Sequence, residues 1–307
     1  MLSSKYGILC KNEILQIDMN DTISKIFKIQ EYAIQLLKLY LDKVYNFEKY
    51  HWYQENLEYE PISEGDDSFI PKEYVFTVSV KANSLVKDVL DFVNKLKVFI
   101  RKNSMDTESI YEKNTVFGYK MTTNVFEFFV LNVHLFNPLL YKNIKDLDFV
   151  KISPIQLVES EKLFVNRLDE YLKDNDTKQK FDRVYLLRNP SRKGVGFFET
   201  KNFYPDFILW TIKGTEQTIS FIDPKGLVMV DPDDEKINLY KEIKDIENGL
   251  TTRTGLNIKL NSFILSFTKY AMLPDAWKKR KKSDLIDKNV LFLEDDDLFN
   301  QLFNKIY

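Results

Sequence analysis

The chain has 307 residues, 44 Lys+Arg against 46 Asp+Glu for a formal charge of −2, one cysteine and two histidines. Cys10 alone cannot make an internal disulfide or a cysteine-rich zinc site, and His51 and His134 are too few and too distant for a histidine nuclease, a zinc hydrolase or a Cys–His dyad. Any chemistry here is expected to rest on carboxylates, lysine and a hard metal ion.

In chain order, the spacing of Ile23, Ile26, Phe27, Ile34, Leu37, Leu41 and Val44 predicts an amphipathic helix over 22–47, capped by Asp21. Residues 55–71 are acidic, with Pro and Gly, and read as a loop. EYVFTVSV (73–80) alternates as a strand does. Ser84 caps a second helix to about residue 101, with Leu85, Val89, Phe92, Val93 and Leu96 on one side. Runs around 115–120 and 125–133 are rich in β-branched and aromatic residues. None of these segments carries a catalytic constellation, so residues 1–150 are expected to be a mixed, largely helical connector or platform.

The pattern changes at Ser153-Pro154. A helix is expected over 154–173, with Glu161 the one acid on a stripe of Phe164, Val165, Leu168 and Leu172. Extended pieces follow at 183–187 and 195–200. Two apolar strands, FYPDFILW (203–210) and TISFIDPKGL (218–227), are joined by KGTEQ as a hairpin. A charged helix over 234–248, the buried strand IKLNSFILSF, the strand KNVLFLEDD and a short helix from Asp297 complete the chain. Residues 151–307 are therefore expected to form one α/β domain of order α-β-β-β-α-β.

The hairpin strands contain charge where apolar residues belong. Asp206 lies inside the first, and Asp223 with Lys225 ends the second. Unpaired charge in a buried sheet costs several kcal/mol, so these groups need a partner, and a divalent cation is the obvious one. Asp206, Asp223 and the Pro224 backbone carbonyl could hold Mg²⁺, or Mn²⁺ as a substitute, in an oxygen-rich site beside Lys225. Such an ion would polarise a phosphodiester. Lys225 would stabilise charge in the transition state, and Glu161 could reach the metal.

The motif Pro205-Asp206…Asp223-Pro224-Lys225 in this element order resembles the PD-(D/E)xK nuclease fold. The surrounding text is closer still: LLRNPSRKGVGFFETKNFYPDFILW and ISFIDPKGL are similar to the C-terminal nuclease region of type III restriction-type DEAD/DEAH helicase proteins. HLFNPLLY with KISPIQLVESEKLFV resembles the entry to that region, and NVLFLEDD its end, so the likeness covers about residues 133–307. By position it assigns Asp206 as the PD aspartate, Asp223 as the (D/E), Lys225 as the motif lysine and Glu161 as the helix acid. The third motif carries Asp where many relatives have Glu.

The resemblance implies a restriction-endonuclease-like core and an Mg²⁺-dependent DNA endonuclease of a restriction or phage-defence system. No Walker A motif or DEAD/DEAH box is present, so this chain has no ATP site, and a stand-alone piece or a subunit of a split system is expected. A separate helicase or methyltransferase subunit would then be its partner. The alternative is a non-catalytic DNA-binding or assembly subunit that docks to a separate helicase.

Arg188, Arg192 and Lys193 beside the motif, and Lys278, Lys279, Arg280, Lys281 and Lys282 after Trp277, are the candidate phosphate contacts, because near-zero net charge leaves DNA affinity to local clusters. Glu199 is a candidate fourth acid, a surface strand residue by the plainer reading; His51 and His134 are expected to be structural. The longest apolar run, 125–136, is broken by Glu127, Asn132 and His134, so no membrane span is expected. With no signal-peptide pattern and a lone cysteine, a cytoplasmic location is expected.

Overall fold

The computed structural model describes residues 22–41, 48, 52, 70–71, 73–79, 84–104, 120–144, 147–173, 180–190, 195–196 and 203–306. It is a mixed α/β protein, and among the described residues no helix is long and apolar enough to cross a membrane. The chain divides into two units, Met1–Leu57 and Glu58–Tyr307. The first contains helix α1, Thr22–Tyr40, where the apolar spacing predicts a helix.

The first strand of the second unit, β1 (Val75–Val78), runs antiparallel to β5 (Val150–Ser153), with Val75 opposite Ser153 and Val78 opposite Val150. Between them lie helix α2 (Val86–Ser104) and an antiparallel meander of β2 (Lys120–Thr122), β3 (Phe126–Phe129) and β4 (Leu139–Lys142). α2 buries Val89, Phe92 and Leu96, the i, i+3, i+7 face of its apolar stripe. Strands β4 and β5 are four residues each and are not among the strands expected from the sequence, although Val150–Ser153 does alternate apolar and polar.

All four residues of β3 are buried, and they alternate between two cores. Phe126 and Phe128 pack with Val89, Phe92, Leu96 and Leu140 on the α2 side. Phe129, with Leu139, belongs to the second core. Glu127 shares that second face and is held there by Lys120 at 3.1 Å and Lys162 at 3.3 Å.

The second core lies under a five-stranded sheet of order β10-β9-β8-β7-β6. Its strands are β6 (Arg183–Arg188), β7 (Phe207–Lys213), β8 (Glu216–Lys225), β9 (Ile258–Ser266) and β10 (Val290–Phe292). β6, β7 and β8 form an antiparallel meander, whereas β8, β9 and β10 are parallel. Helix α3 (Glu159–Lys173) precedes the meander and α4 (Glu235–Thr254) makes the crossover from β8 to β9. Short helices α5 (Asp275–Lys278) and α6 (Lys282–Asp287) and the C-terminal α7 (Leu298–Ile306) follow.

One face of the sheet presents Phe207, Leu209, Ile222, Phe263 and Leu265 to α3 (Phe164, Val165, Leu168) and α7 (Phe299, Leu302, Phe303). Each such side chain contributes about 1.5–3 kcal/mol of burial. The other face places Ile264 with Ile237, Trp277 and Leu285.

Local chemistry sets the ends of these elements. The β7–β8 turn is two residues long, and Gly214 takes φ 58°, where a side chain would be strained. Asp234 caps α4 by accepting from the Lys236 N–H at 2.9 Å, and Gly255 closes it at φ 67°. Beyond the short β10, the open edge of β9 is satisfied by side chains. The Leu260 N–H donates to Glu247, Lys244 donates to the Leu260 carbonyl, and Asn289 Nδ2 donates to the Ser262 carbonyl.

At the opposite edge, residues 133–135 lie along β6, with Leu135 N donating to Leu186 O and Leu186 N to Val133 O. Of the extended piece read at 195–200, Val195 and Gly196 carry no strand and the rest lies outside the described residues.

Candidate active site

Antiparallel and parallel strands bring their charged ends to one edge of the five-stranded sheet. β7 pairs with β8 so that Phe207 lies opposite Ile222, and Asp206, the residue just before β7, brings its carboxyl within hydrogen-bond reach of Asp223. Arg188, the last residue of β6, faces Phe207 on the other side of β7. Lys225 is two residues past Asp223 and therefore shares its face. The hairpin spacing read from the sequence thus does bring Asp206, Asp223 and Lys225 together.

Asp223 is 5% exposed, and the Lys225 ammonium makes an ion pair with its Oδ2. That contact lacks hydrogen-bond geometry, so Oδ2 is a buried carboxylate oxygen with no hydrogen bond. Burial, then the charge of Asp223 and a hydrogen bond to it, then the charge of Glu161, push the Asp206 carboxyl up to about 8, against the opposing pull of Arg188. Two crowded acids at one strand end hold a proton where a cation would otherwise serve. This donor set fits a hard divalent ion: two facing carboxylates, one with an orphaned oxygen.

Glu161 is used differently. It sits at the third position of α3, and its Oε2 accepts the Val158 N–H at 2.7 Å, closing the helix N-terminus. Both carboxylate oxygens also accept from the Arg188 guanidinium, at 3.0 and 2.8 Å. With Glu161 4% exposed, this is a largely buried ion pair in which one guanidinium nitrogen, Nη2, serves both carboxylate oxygens. Arg188, whose side chain is 12% exposed, further donates to the carbonyls of Ile155 and Gln156. Arg188 is therefore an internal tie between β6 and α3 and does not present its charge to a phosphate. Among the described residues, no three His, Cys, Asp or Glu side chains gather as a group that could hold a metal ion, so the pair Asp206 and Asp223 stands alone.

The Pro224 carbonyl accepts the Ser160 hydroxyl at 2.9 Å. Ser160 and Glu161, adjacent on α3, therefore reach β8 and β6 respectively, and bolt the helix over the site.

Asn189 is the residue that sequence reasoning passed over. Its Nδ2 donates to both Pro205 O and Val195 O at 2.8 Å, its Oδ1 accepts Val195 N at 2.9 Å, and its backbone N–H donates to Asp206 O at 2.8 Å. It fixes the Pro205-Asp206 step to the exit of β6. The available signal was an amide in RNP immediately after an apolar strand. Gly196 lies against Tyr204 so closely that a Cβ there would come within 2.6 Å of the ring, which explains a glycine at that position of the loop.

His134 is structural, as its isolation in sequence suggested. Nε2 accepts the Arg188 backbone N–H at 2.9 Å, which places the ring proton on Nδ1, donating to Phe136 O at 2.5 Å. Burial is the main cause that lowers its pKa to about 3.

The basic run divides in two. Arg280 pairs with Asp233 at 2.6 Å, and Lys282 pairs with Asp295 at 2.5 Å while lying over the Phe292 ring. Lys278, Lys279 and Lys281 are exposed. The run is tied to the segment after β8 by Trp277 Nε1, which donates to Val230 O at 2.8 Å. Cys10, His51, Arg192, Lys193 and Glu199 lie outside the described residues.

No family model, curated protein or solved structure matches this chain.

Proposed function

We propose that the protein is a divalent-metal-dependent DNA endonuclease with a restriction-endonuclease-like core. The observation that carries this reading is the approach of Asp206 to Asp223, with Lys225 paired to Asp223, at one end of the strands of a mixed sheet. Support comes also from the element order α3-β6-β7-β8-α4-β9, with the meander antiparallel and the last pair parallel, and from the motif text.

Asp206 and Asp223 would hold Mg²⁺ or Mn²⁺, with the Pro224 carbonyl next to them once the Ser160 hydroxyl shares or yields it. When bound, the ion supplies charge neutralisation and polarises the phosphodiester. Lys225 then exchanges part of its pairing with Asp223 for the negative charge that builds on the phosphate. Glu161 acts one step back, orienting α3 through Val158 and Arg188.

One observation favours the second reading, a DNA-binding or assembly subunit that does not cleave. Lys225 already pairs with Asp223, and among the described residues no third acid joins the two aspartates. A single assay separates the two. The purified protein is incubated with supercoiled and linear DNA in Mg²⁺, Mn²⁺ or EDTA, beside Asp223→Ala and Lys225→Ala. Metal-dependent nicking that both substitutions abolish is the expected result. DNA binding without nicking in any metal supports the binding subunit instead, and nicking in EDTA defeats the metal site.

A further inference from the structure

One cation near the site is used by none of the interactions above. Lys236 lies in the first turn of α4, where the Asp234 cap holds its backbone N–H. Its ammonium is 5.5 Å from the centre of the Phe203 ring, and the ammonium of Lys225 is 5.4 Å from the centre of the same ring. Two positive side chains from different elements, the end of β8 and the start of α4, therefore converge on one buried aromatic ring.

Their partners differ. Lys225 pairs with Asp223. Lys236 is only half exposed, and no carboxylate pairs with it among the described residues; the nearby Asp234 carboxylate is used as the helix cap, and Asp233 pairs with Arg280. An aromatic face attracts an ammonium by about 0.5–2 kcal/mol but leaves its charge uncancelled. An anion that reaches Lys236 gives it the counter-charge it lacks.

We propose that Lys236, which shares the Phe203 ring with Lys225, is an anion subsite that receives a backbone phosphate of the DNA strand next to the candidate active site. The assignment of DNA rests on the nuclease reading; the subsite itself rests on the convergence of the two lysines. Lysine suits this role as a flexible point charge that needs no fixed fork geometry. Lys225 faces Asp223 and the reacting phosphate, while Lys236 takes a neighbouring one and sets the register of the strand. Phe203, already buried, positions the two stems and does not stack on a base.

The test uses the full chain and a labelled DNA oligonucleotide, single-stranded and duplex, with binding read by fluorescence anisotropy across a series of salt concentrations in Ca²⁺. Wild type, Lys236→Gln and Lys236→Arg are compared. One lost phosphate contact lowers the salt slope by about 0.7–0.9. Lys236→Gln is expected to show that loss with roughly tenfold weaker binding, and Lys236→Arg to restore both. Unchanged affinity and slope in Lys236→Gln overturn the subsite, as does a wild-type protein that binds neither oligonucleotide. Cleavage of the same oligonucleotides in Mn²⁺ reads the nuclease assignment separately. Binding through Lys236 without cleavage keeps the subsite and loses the nuclease; cleavage with an unaltered Lys236→Gln does the reverse.

Discussion

The Asp206 carboxyl lies against that of Asp223, just ahead of the Phe207–Ile222 pair that opens the β7–β8 ladder. Burial first, and the neighbouring charge second, make the folded state hold a proton that an unfolded chain would release, and this gives its stability a dependence on pH.

The first prediction follows from the sign of that shift. An aspartate in the unfolded chain titrates near 3.8, and Asp206 in the fold near 8. Between those values the folded protein binds more protons than the unfolded chain, so this group makes stability fall as pH rises through the interval. Melting temperature in EDTA is expected to drop between about pH 5 and pH 8, and Asp206→Asn to flatten the drop. Mn²⁺ should raise the melting temperature more at the upper pH than at the lower. Identical profiles for wild type and Asp206→Asn would show that the buried Asp206 carboxyl does not titrate in this range.

The Glu161–Arg188 pair gives the second. Both groups are buried, so removing one strands the other. Glu161→Ala is expected to cost about 3–5 kcal/mol in denaturant unfolding, the usual penalty for breaking a buried pair. Arg188→Met should cost a similar amount, and the double variant less than the two single costs added together. Strict additivity would show that the two residues do not depend on each other.

These two pairs show why one part of the site is legible in the sequence and the other is not. Asp223 interrupts the apolar run of β8, and Asp206, expected inside its partner strand, stands one residue ahead of β7, so charge set against apolar text reveals both. The hairpin and helices α2, α3 and α4 are legible because each has a periodic apolar face. Arg188 reads as a surface cation because nothing near it in sequence discloses Glu161, 27 residues away, or the carbonyls of Ile155 and Gln156. Asn189 and His134 likewise act by hydrogen bonds that leave no periodic trace. Strand β4, four residues with no alternation, is defined by its partner β3.

Asn189 supplies the third prediction. Asn189→Ala removes three side-chain hydrogen bonds, each worth about 0.5–1.5 kcal/mol, and frees the Pro205-Asp206 step. Unfolding should cost about 2–3 kcal/mol. Divalent-ion affinity, measured by titration calorimetry, should fall by about 10–100-fold, as for groups that orient a metal ligand. A loss of stability with unchanged metal affinity would confine Asn189 to a structural role.

His134 supplies the fourth. Its folded pKa of about 3 lies below the 6.5 of an unfolded histidine. Below 6.5 the unfolded chain takes up a proton that the folded chain refuses, so stability present at neutral pH is lost as pH falls from 6.5 toward 3. His134→Gln is expected to be less stable than wild type at pH 7 and to lose less on acidification. The check is denaturant unfolding of both proteins across that range.

Strand β3 bears on how the protein could be engineered. Because Phe126 and Phe128 fill one core while Phe129 fills the other, the meander is a wall common to two rooms. A fragment begun near residue 151 to isolate the chemistry would lose Phe129, Leu131 and Leu139 from beneath α3, and with them residues 133–135 that line β6 and the His134 brace behind Arg188. Such a fragment would expose an apolar face and a bare strand edge at once, the combination that drives chains to aggregate. The smallest piece that folds and stays in solution should therefore retain the meander and α2.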